Sequence, residues 1–270
     1  MKEVVKLMDY RPDIKIVDAT LRDGGLVNNF RFTDEFVKDL YQTNIKAGVD
    51  VMEFGYKADK EMFDVKDFGK WKFCDDEDIR AVVGDNNTDL KIAVMADVGR
   101  CNYKQDIKPR AESPVDVIRV ATYINQIPAA VDVIEDAVAK GYEVTCNIMA
   151  ISNAQEADIR VALDLLGKSP VNVIYIVDSF GALFPEQIAR IAALYGEYAA
   201  KYGKKLGIHA HNNQQLAFAN TVEATALTGS TVHTPRWAEA PETAQWSCSS
   251  VSSRTRSTTC TPLFSSSRSI

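Results

Sequence analysis

The sequence predicts an α/β fold, a TIM-type (β/α)8 barrel whose eighth strand and last helix are missing or disrupted. Three observations carry that expectation. Seven short apolar runs alternate with helical patterns, which implies parallel strands joined by crossover helices. The length, 270 residues, is ordinary for a single barrel. From about His233 the alternation stops, and Ser247 to Ile270 is mostly Ser, Thr and Arg.

The first run, Ile14 to Val17, suits a strand covered on both faces and ends in Asp18-Ala19-Thr20-Leu21-Arg22-Asp23-Gly24-Gly25. Arg22 and Asp23 then sit at a strand's carboxyl end, where α/β sheets place their chemistry. Gly24-Gly25 is expected to let the backbone leave the sheet through dihedrals that a side chain forbids. Asn28 and Asn29 continue a polar loop. Thr33 is a helix N-cap followed by Asp34 and Glu35, and the helix ends at Ala47-Gly48 with Phe36, Leu40 and Ile45 on its apolar face. The second strand, Asp50 to Phe54, carries Glu53 near its end.

Residues 57–90 read as a long loop with a short helix around Asp76 to Val82, and long βα loops of barrels often cover a substrate. Strands follow at Lys91 to Met95, Val115 to Val120 and Glu143 to Ile148. Amphipathic helices run from Ile127 to Lys140, closed by Gly141, and from Ala154 to Leu166. The sixth strand, Val173 to Val177, leads to Asp178, and the helix after it starts near Pro185 and runs to about Tyr202. The seventh, Leu206 to Ala210, delivers His209 and His211, two of the three histidines in the chain. Successive strand side chains alternate faces, so this pair points one way and can share a metal ion. Asn212 or Asn213 caps a helix expected to turn Leu216, Ala217, Val222 and Leu227 inward.

The formal net charge of −6, without a basic cluster, argues against a nucleic-acid partner. Met1 to Arg11 is mixed and charged, which does not suit a signal segment, and no stretch has transmembrane length. The five cysteines lack ligand spacing and suit a reducing compartment, so a cytoplasmic protein without a membrane partner is expected.

Asp18 to Gly25 (DATLRDGG) together with His209 to Asn212 (HAHN) resembles the DRE-TIM metallolyases, the family of HMG-CoA lyase, isopropylmalate and homocitrate synthases and 4-hydroxy-2-oxovalerate aldolase. Gly48 to Gly55 is similar to that family's second strand, and Asp178-Ser179-Phe180-Gly181 to its sixth. The resemblance spans about residues 13–231. It implies Asp23, His209 and His211 as ligands of a divalent ion, Mn or Mg, with Zn and Co also compatible with mixed oxygen and nitrogen donors. It implies Arg22, Asp23 and Glu53 as catalytic residues, and Thr20, Gly24, Asn28 and Asp178 as candidate substrate contacts, Asp178 being equally suited to capping a helix. The activity implied is an aldolase-type lyase that makes or breaks a carbon–carbon bond through the enolate of a pyruvate-like 2-oxo acid. An acyl-CoA-dependent Claisen synthase and an inactive metal-binding scaffold are the alternatives, and outer-helix pairing into a homodimer would fit the family.

One position departs from the pattern. Three residues after Asp23 the family places a histidine or glutamine, and here that place holds Leu26, which cannot transfer a proton. Asn28, Asn29, Tyr56 and Asp178 are the polar groups that could contribute instead.

The organisation expected is a metal-dependent barrel over residues 1–232 and an off-frame, disordered tail over 233–270. When the codons from Arg236 onward are regrouped after their first two bases, the permitted residues include the run MGRGAGNCAMELLLGFLKNPKYNLYP. That string resembles the family's last glycine-rich loop, with its asparagine, and the helix after it. A frameshift between about Ser230 and Arg236 would explain this, and it would leave strands one and seven as open edges. Nucleotide sequencing across the codons for Ser230 to Trp237 is expected to find a missing or extra base; an uninterrupted frame would make the tail a genuine part of the protein.

Overall fold

The computed structural model describes residues 14–227 and the backbone of 236–240. Eight parallel strands close into a barrel in sequential order: β1 (Ile14–Asp18), β2 (Val51–Tyr56), β3 (Lys91–Asp97), β4 (Val117–Thr122), β5 (Glu143–Ile148), β6 (Val173–Asp178), β7 (Lys205–Ala210) and β8 (Arg236–Ala240). The helices are α1 (Thr20–Asn28), α2 (Asp34–Ala47), α3 (Asp76–Val83), α4 (Tyr103–Asp106), α5 (Ile127–Ala139), α6 (Glu156–Lys168), α7 (Pro185–Tyr202) and α8 (Ala217–Leu227). None among the described residues is long and apolar enough to cross a membrane.

Strand alternation divides the core in two. Val17, Val51, Ala93, Val117 and Val173 form an apolar floor inside the barrel with Tyr175 and Val177. Their neighbours along each strand, such as Ile16, Met52, Ile92, Ile118, Val144, Ile174 and Ile208, belong to the larger cluster beneath the helices, together with Val37, Ile79, Ile134, Leu163 and Tyr195. Above the floor the inward positions turn polar, with Glu53, Arg119, Asn147 and His209 all nearly inaccessible. The chemistry therefore sits above the valine layer, toward the strands' carboxyl ends.

Local signals act as the sequence suggests at several helix ends. Thr33 accepts the Phe36 amide at 3.2 Å and caps α2, and Gly48 ends that helix in the left-handed conformation, φ 69°. On α8, Ala217 and Ala224 are buried, whereas Val222 faces solvent against expectation, because the buried stripe runs through the smaller alanines.

Two expectations are corrected. Gly24 and Gly25 do not form a strained exit: both lie within α1, which begins only two residues after β1. Gly25 is required by packing, since a Cβ there would come within 2.2 Å of the Phe30 ring. The gap between the first and seventh strands is also not open. β8 pairs with β1 from Ile14↔Arg236 to Asp18↔Ala240 and with β7 from Leu206↔Arg236 to His209↔Glu239. Five residues of extended main chain occupy both edges, and this needs only backbone donors and acceptors. The expected loss of the last helix, and the rest of the tail, lie outside the described residues.

Gly207 on β7 is fixed by a side chain. The Tyr175 ring lies where its Cβ would be, at 2.5 Å. Gly207→Ala is expected to cost about 1–3 kcal/mol in denaturant unfolding, because the ring has no room to retreat inside the barrel. Gly196→Ala on α7, where a Cβ meets nothing within 4 Å, is expected to be neutral or stabilising by up to about 1 kcal/mol.

Candidate active site

The site begins where β1 passes into α1. The Asp18 carboxylate takes a hydrogen bond from the Thr20 hydroxyl at 2.5 Å and another from Asn44 Nδ2 at 2.9 Å. These contacts tie the first turn of α1 to α2 and present Arg22 and Asp23 to the barrel interior. Thr20, a candidate substrate contact, holds this junction with its hydroxyl.

Arg22 is clamped on two sides. Its Nε donates to Glu53 Oε2 at 2.8 Å, and its Nη1 donates to Asp23 Oδ1. Glu53 in turn meets Arg119 Nε through Oε1 at 3.4 Å, and the Arg119 guanidinium lies 4.7 Å from the centre of the Tyr175 ring. Two guanidiniums thus face two carboxylates in a region from which water is almost excluded, all four residues being at most 5% exposed. Formal charges balance, which is the condition under which buried ions are tolerated.

Asp23 also faces β7. Its Oδ2 lies 3.4 Å from His209 Nε2, and the rings of His209 and His211 meet edge to face with centroids 4.6 Å apart. Ligand atoms of Asp23, His209 and His211 all lie within 4.8 Å of one another. Asp23 Oδ2 is buried and accepts no hydrogen bond from any described residue. A buried carboxylate oxygen without a donor has a lone pair to offer, and one carboxylate with two imidazoles is a donor set that a divalent ion fits. His211 Nδ1 lies 2.9 Å from the Asp178 carbonyl oxygen. Donation there places the ring proton on Nδ1 and turns Nε2 toward the cluster, the usual way in which a second contact orients a ligating histidine.

The side chains of Asp178 and Asn28 both have local partners, and for Asp178 this is the capping kind of role the sequence also suits. The Asp178 carboxylate is fully buried and accepts the amides of Ala182 and Leu183, both at 3.1 Å, so it shapes the loop after β6. Asn28 faces solvent and donates to the Arg31 carbonyl at 3.2 Å. Gly24 lies in α1 with room beside it, a Cβ there meeting only Phe32 Cζ at 3.6 Å. Leu26 is 57% exposed on the same helix.

The mouth is roofed by the loop between β2 and α3. Gly69 donates its amide to the Asn29 carbonyl at 2.8 Å, and Arg31 donates to the carbonyls of Lys66 and Asp67, each at 3.2 Å. Within this roof the Lys72 ammonium faces four rings, Phe63 at 4.4 Å, Tyr56 at 4.7 Å, Phe30 at 5.1 Å and Phe68 at 5.5 Å. Burial pulls the Lys72 amine below its ordinary range, and nearby Asp97 opposes this. Burial likewise raises the carboxyl of Asp97, with Arg100 opposing, and pushes the Tyr56 phenol up to about 12, with Arg22 opposing.

Arg119, Tyr175, Asp97 and Lys72 were not singled out from sequence. Arg119 carried a usable signal, a lone charge inside the apolar run Val117 to Ala121. Lys72 carried none, because its surroundings come from three separate segments.

The site can be set beside known proteins. A 4-hydroxy-2-oxovalerate aldolase from Pelotomaculum thermopropionicum is 28% identical over 216 residues, covering 80% of this chain and 62% of its own length. An oxaloacetate decarboxylase from Mycobacterium tuberculosis is 28% identical over 214 residues, covering 77% of this chain and 60% of its own. The chain thus spans about three fifths of these curated relatives. The crystal structure of the N-terminal domain of a proposed aldolase from Bacteroides vulgatus superposes with a TM-score of 0.63 at 26% identity, covering 84% of this chain and 72% of that one. The HMGL-like family model matches residues 13–232, from the start of β1 past the end of α8, and the chain belongs to that family.

Proposed function

We propose that the protein is a divalent-metal-dependent lyase of the aldolase type that makes or breaks a carbon–carbon bond through the enolate of a pyruvate-like 2-oxo acid. The observation that carries this reading is the Asp23–His209–His211 cluster directly beside a clamped, buried arginine. The names of the relatives support the substrate class. Cleavage of a 4-hydroxy-2-oxo acid and decarboxylation of oxaloacetate both leave the same three-carbon enolate, so a site that stabilises this enolate serves either reaction.

Asp23, His209 and His211 would hold the ion, Mn or Mg in the first instance, with Zn and Co also suited to the donors. When bound, such an ion acts as a Lewis acid toward the ketone of a chelating 2-oxo acid. Arg22 stabilises negative charge as it develops on the ketone oxygen. Its guanidinium is already held by Glu53 and Asp23, so little reorganisation is needed when the charge appears. Glu53 sets the plane of Arg22 and is itself held from behind by Arg119. The roof over residues 57–75 limits water at the mouth, which protects an enolate from premature protonation.

Metal binding and chemistry separate by substitution. Asp23→Asn and His211→Ala are expected to abolish Mn2+ binding in titration calorimetry. Arg22→Lys keeps the charge balance and should bind Mn2+ as the parent does, while deuterium wash-in at the pyruvate methyl group falls roughly 10²- to 10³-fold. Loss of the metal in that variant would make Arg22 a structural residue instead. Asp178→Asn, which cannot accept both loop amides equally, is expected to lower Mn2+ affinity by about 10-fold or more through a loosened His211.

A further inference from the structure

The departure at Leu26 leaves the proposed reaction without a proton-transfer group, and the register of β2 supplies one. Glu53 stands opposite Ala93, but Tyr56 stands opposite Met95, so β2 advances three residues where β3 advances two. Without the extra residue, alternation would send Tyr56 outward with Met52 and Phe54, which lie in the cluster beneath the helices. The bulge returns it to the lumen face that Glu53 occupies. Gly55 makes this possible. A Cβ at that position would come within 1.9 Å of the Trp71 carbonyl oxygen, so the main chain of the roof presses directly on the bulge.

The re-aimed ring is held in place. Phe30 meets it edge to face with centroids 5.6 Å apart, and the Lys72 ammonium lies 4.7 Å from its centre. It is the one residue of β2 that keeps some solvent exposure. It is the last residue of β2, at the strand's carboxyl end, and its hydroxyl feels the charges of Arg22, Asp23, Glu53 and Asp97. Burial keeps it protonated at ordinary pH, so it enters the reaction as an acid.

We propose that Tyr56 is the proton donor to the enolate carbon, in the place that Leu26 does not fill. This rests on the lyase reading above. After the carbon–carbon bond breaks, the enolate's π electrons form a new C–H bond with the phenol proton, the carbonyl of the 2-oxo acid is restored, and the phenolate regains a proton from water. In reverse, the phenolate, formed when the phenol loses its proton to water, removes a methyl proton from the 2-oxo acid, so solvent exchange at that methyl passes through Tyr56.

The test compares the full chain with Tyr56→Phe, in excess Mn2+ and D2O, following deuterium at the pyruvate methyl group by NMR. Binding of oxalate, a planar mimic of the enolate, is measured in parallel. The expected result is exchange in the parent, a roughly 10²- to 10⁴-fold slower exchange in Tyr56→Phe, and Mn2+ and oxalate binding unchanged between them. Parental exchange in Tyr56→Phe overturns the assignment, and so does a variant that loses oxalate or Mn2+ binding along with exchange, since Tyr56 would then be structural. A parent that binds Mn2+ and oxalate without exchanging overturns the lyase reading itself, and the assignment with it.

Discussion

Everything in the barrel's upper half depends on the balance of four buried charges. Arg22, Asp23, Glu53 and Arg119 come from α1, β2 and β4, yet they neutralise one another in a space closed to water. Removing any one would leave a net charge in a low-dielectric cavity, a loss far larger than the worth of a surface ion pair. The strands must therefore hold these groups in register, and the apolar floor of Val17, Val51, Ala93, Val117 and Val173 does so by filling the barrel below them. The balance also tunes what the site can accept. Within the neutral quartet Asp23 keeps one buried carboxylate oxygen without a hydrogen bond, and that lone pair, with the two imidazoles of His209 and His211, makes a divalent cation a natural complement.

The second constraint is the roof. A loop of this length would ordinarily be loose, but main-chain contacts to Asn29 and Arg31 and the four rings around Lys72 fasten it to the first βα connection. The same ring cluster includes Tyr56, so the loop's order and the aim of a site residue are one feature. Desolvation disfavours the lysine's charge while the rings favour it. The four rings would lose their common partner if the amine became neutral.

Much of this was legible in the sequence because short periodicities encode it. A period of two placed His209 and His211 on one face, and an apolar run ending in charges placed Arg22 and Asp23 at the mouth. Elsewhere the same rules misled for identifiable reasons. Gly24-Gly25 was read as a strained turn, because glycine's role as a space-maker for Phe30 depends on a contact five residues away. Thr20 and Asp178 each satisfy a local hydrogen-bonding need, which the capping reading of Asp178 anticipates and which for Thr20 only the folded junction reveals. Tyr56 could be named only as one of four polar candidates, because a bulge resets the alternation that would have shown which face it takes, and no periodic reading survives an inserted residue.

The way the barrel closes has a consequence of its own. β8 joins β1 and β7 through main-chain pairing, and such bonding is indifferent to which side chains the strand carries. Architecture and chemistry are thereby uncoupled at this seam. A circular dichroism spectrum or a melting curve would report a complete α/β barrel whatever occupies the last strand. Only a probe that looks into the mouth would register whether the residues arriving there are the ones the other seven strands were shaped to meet.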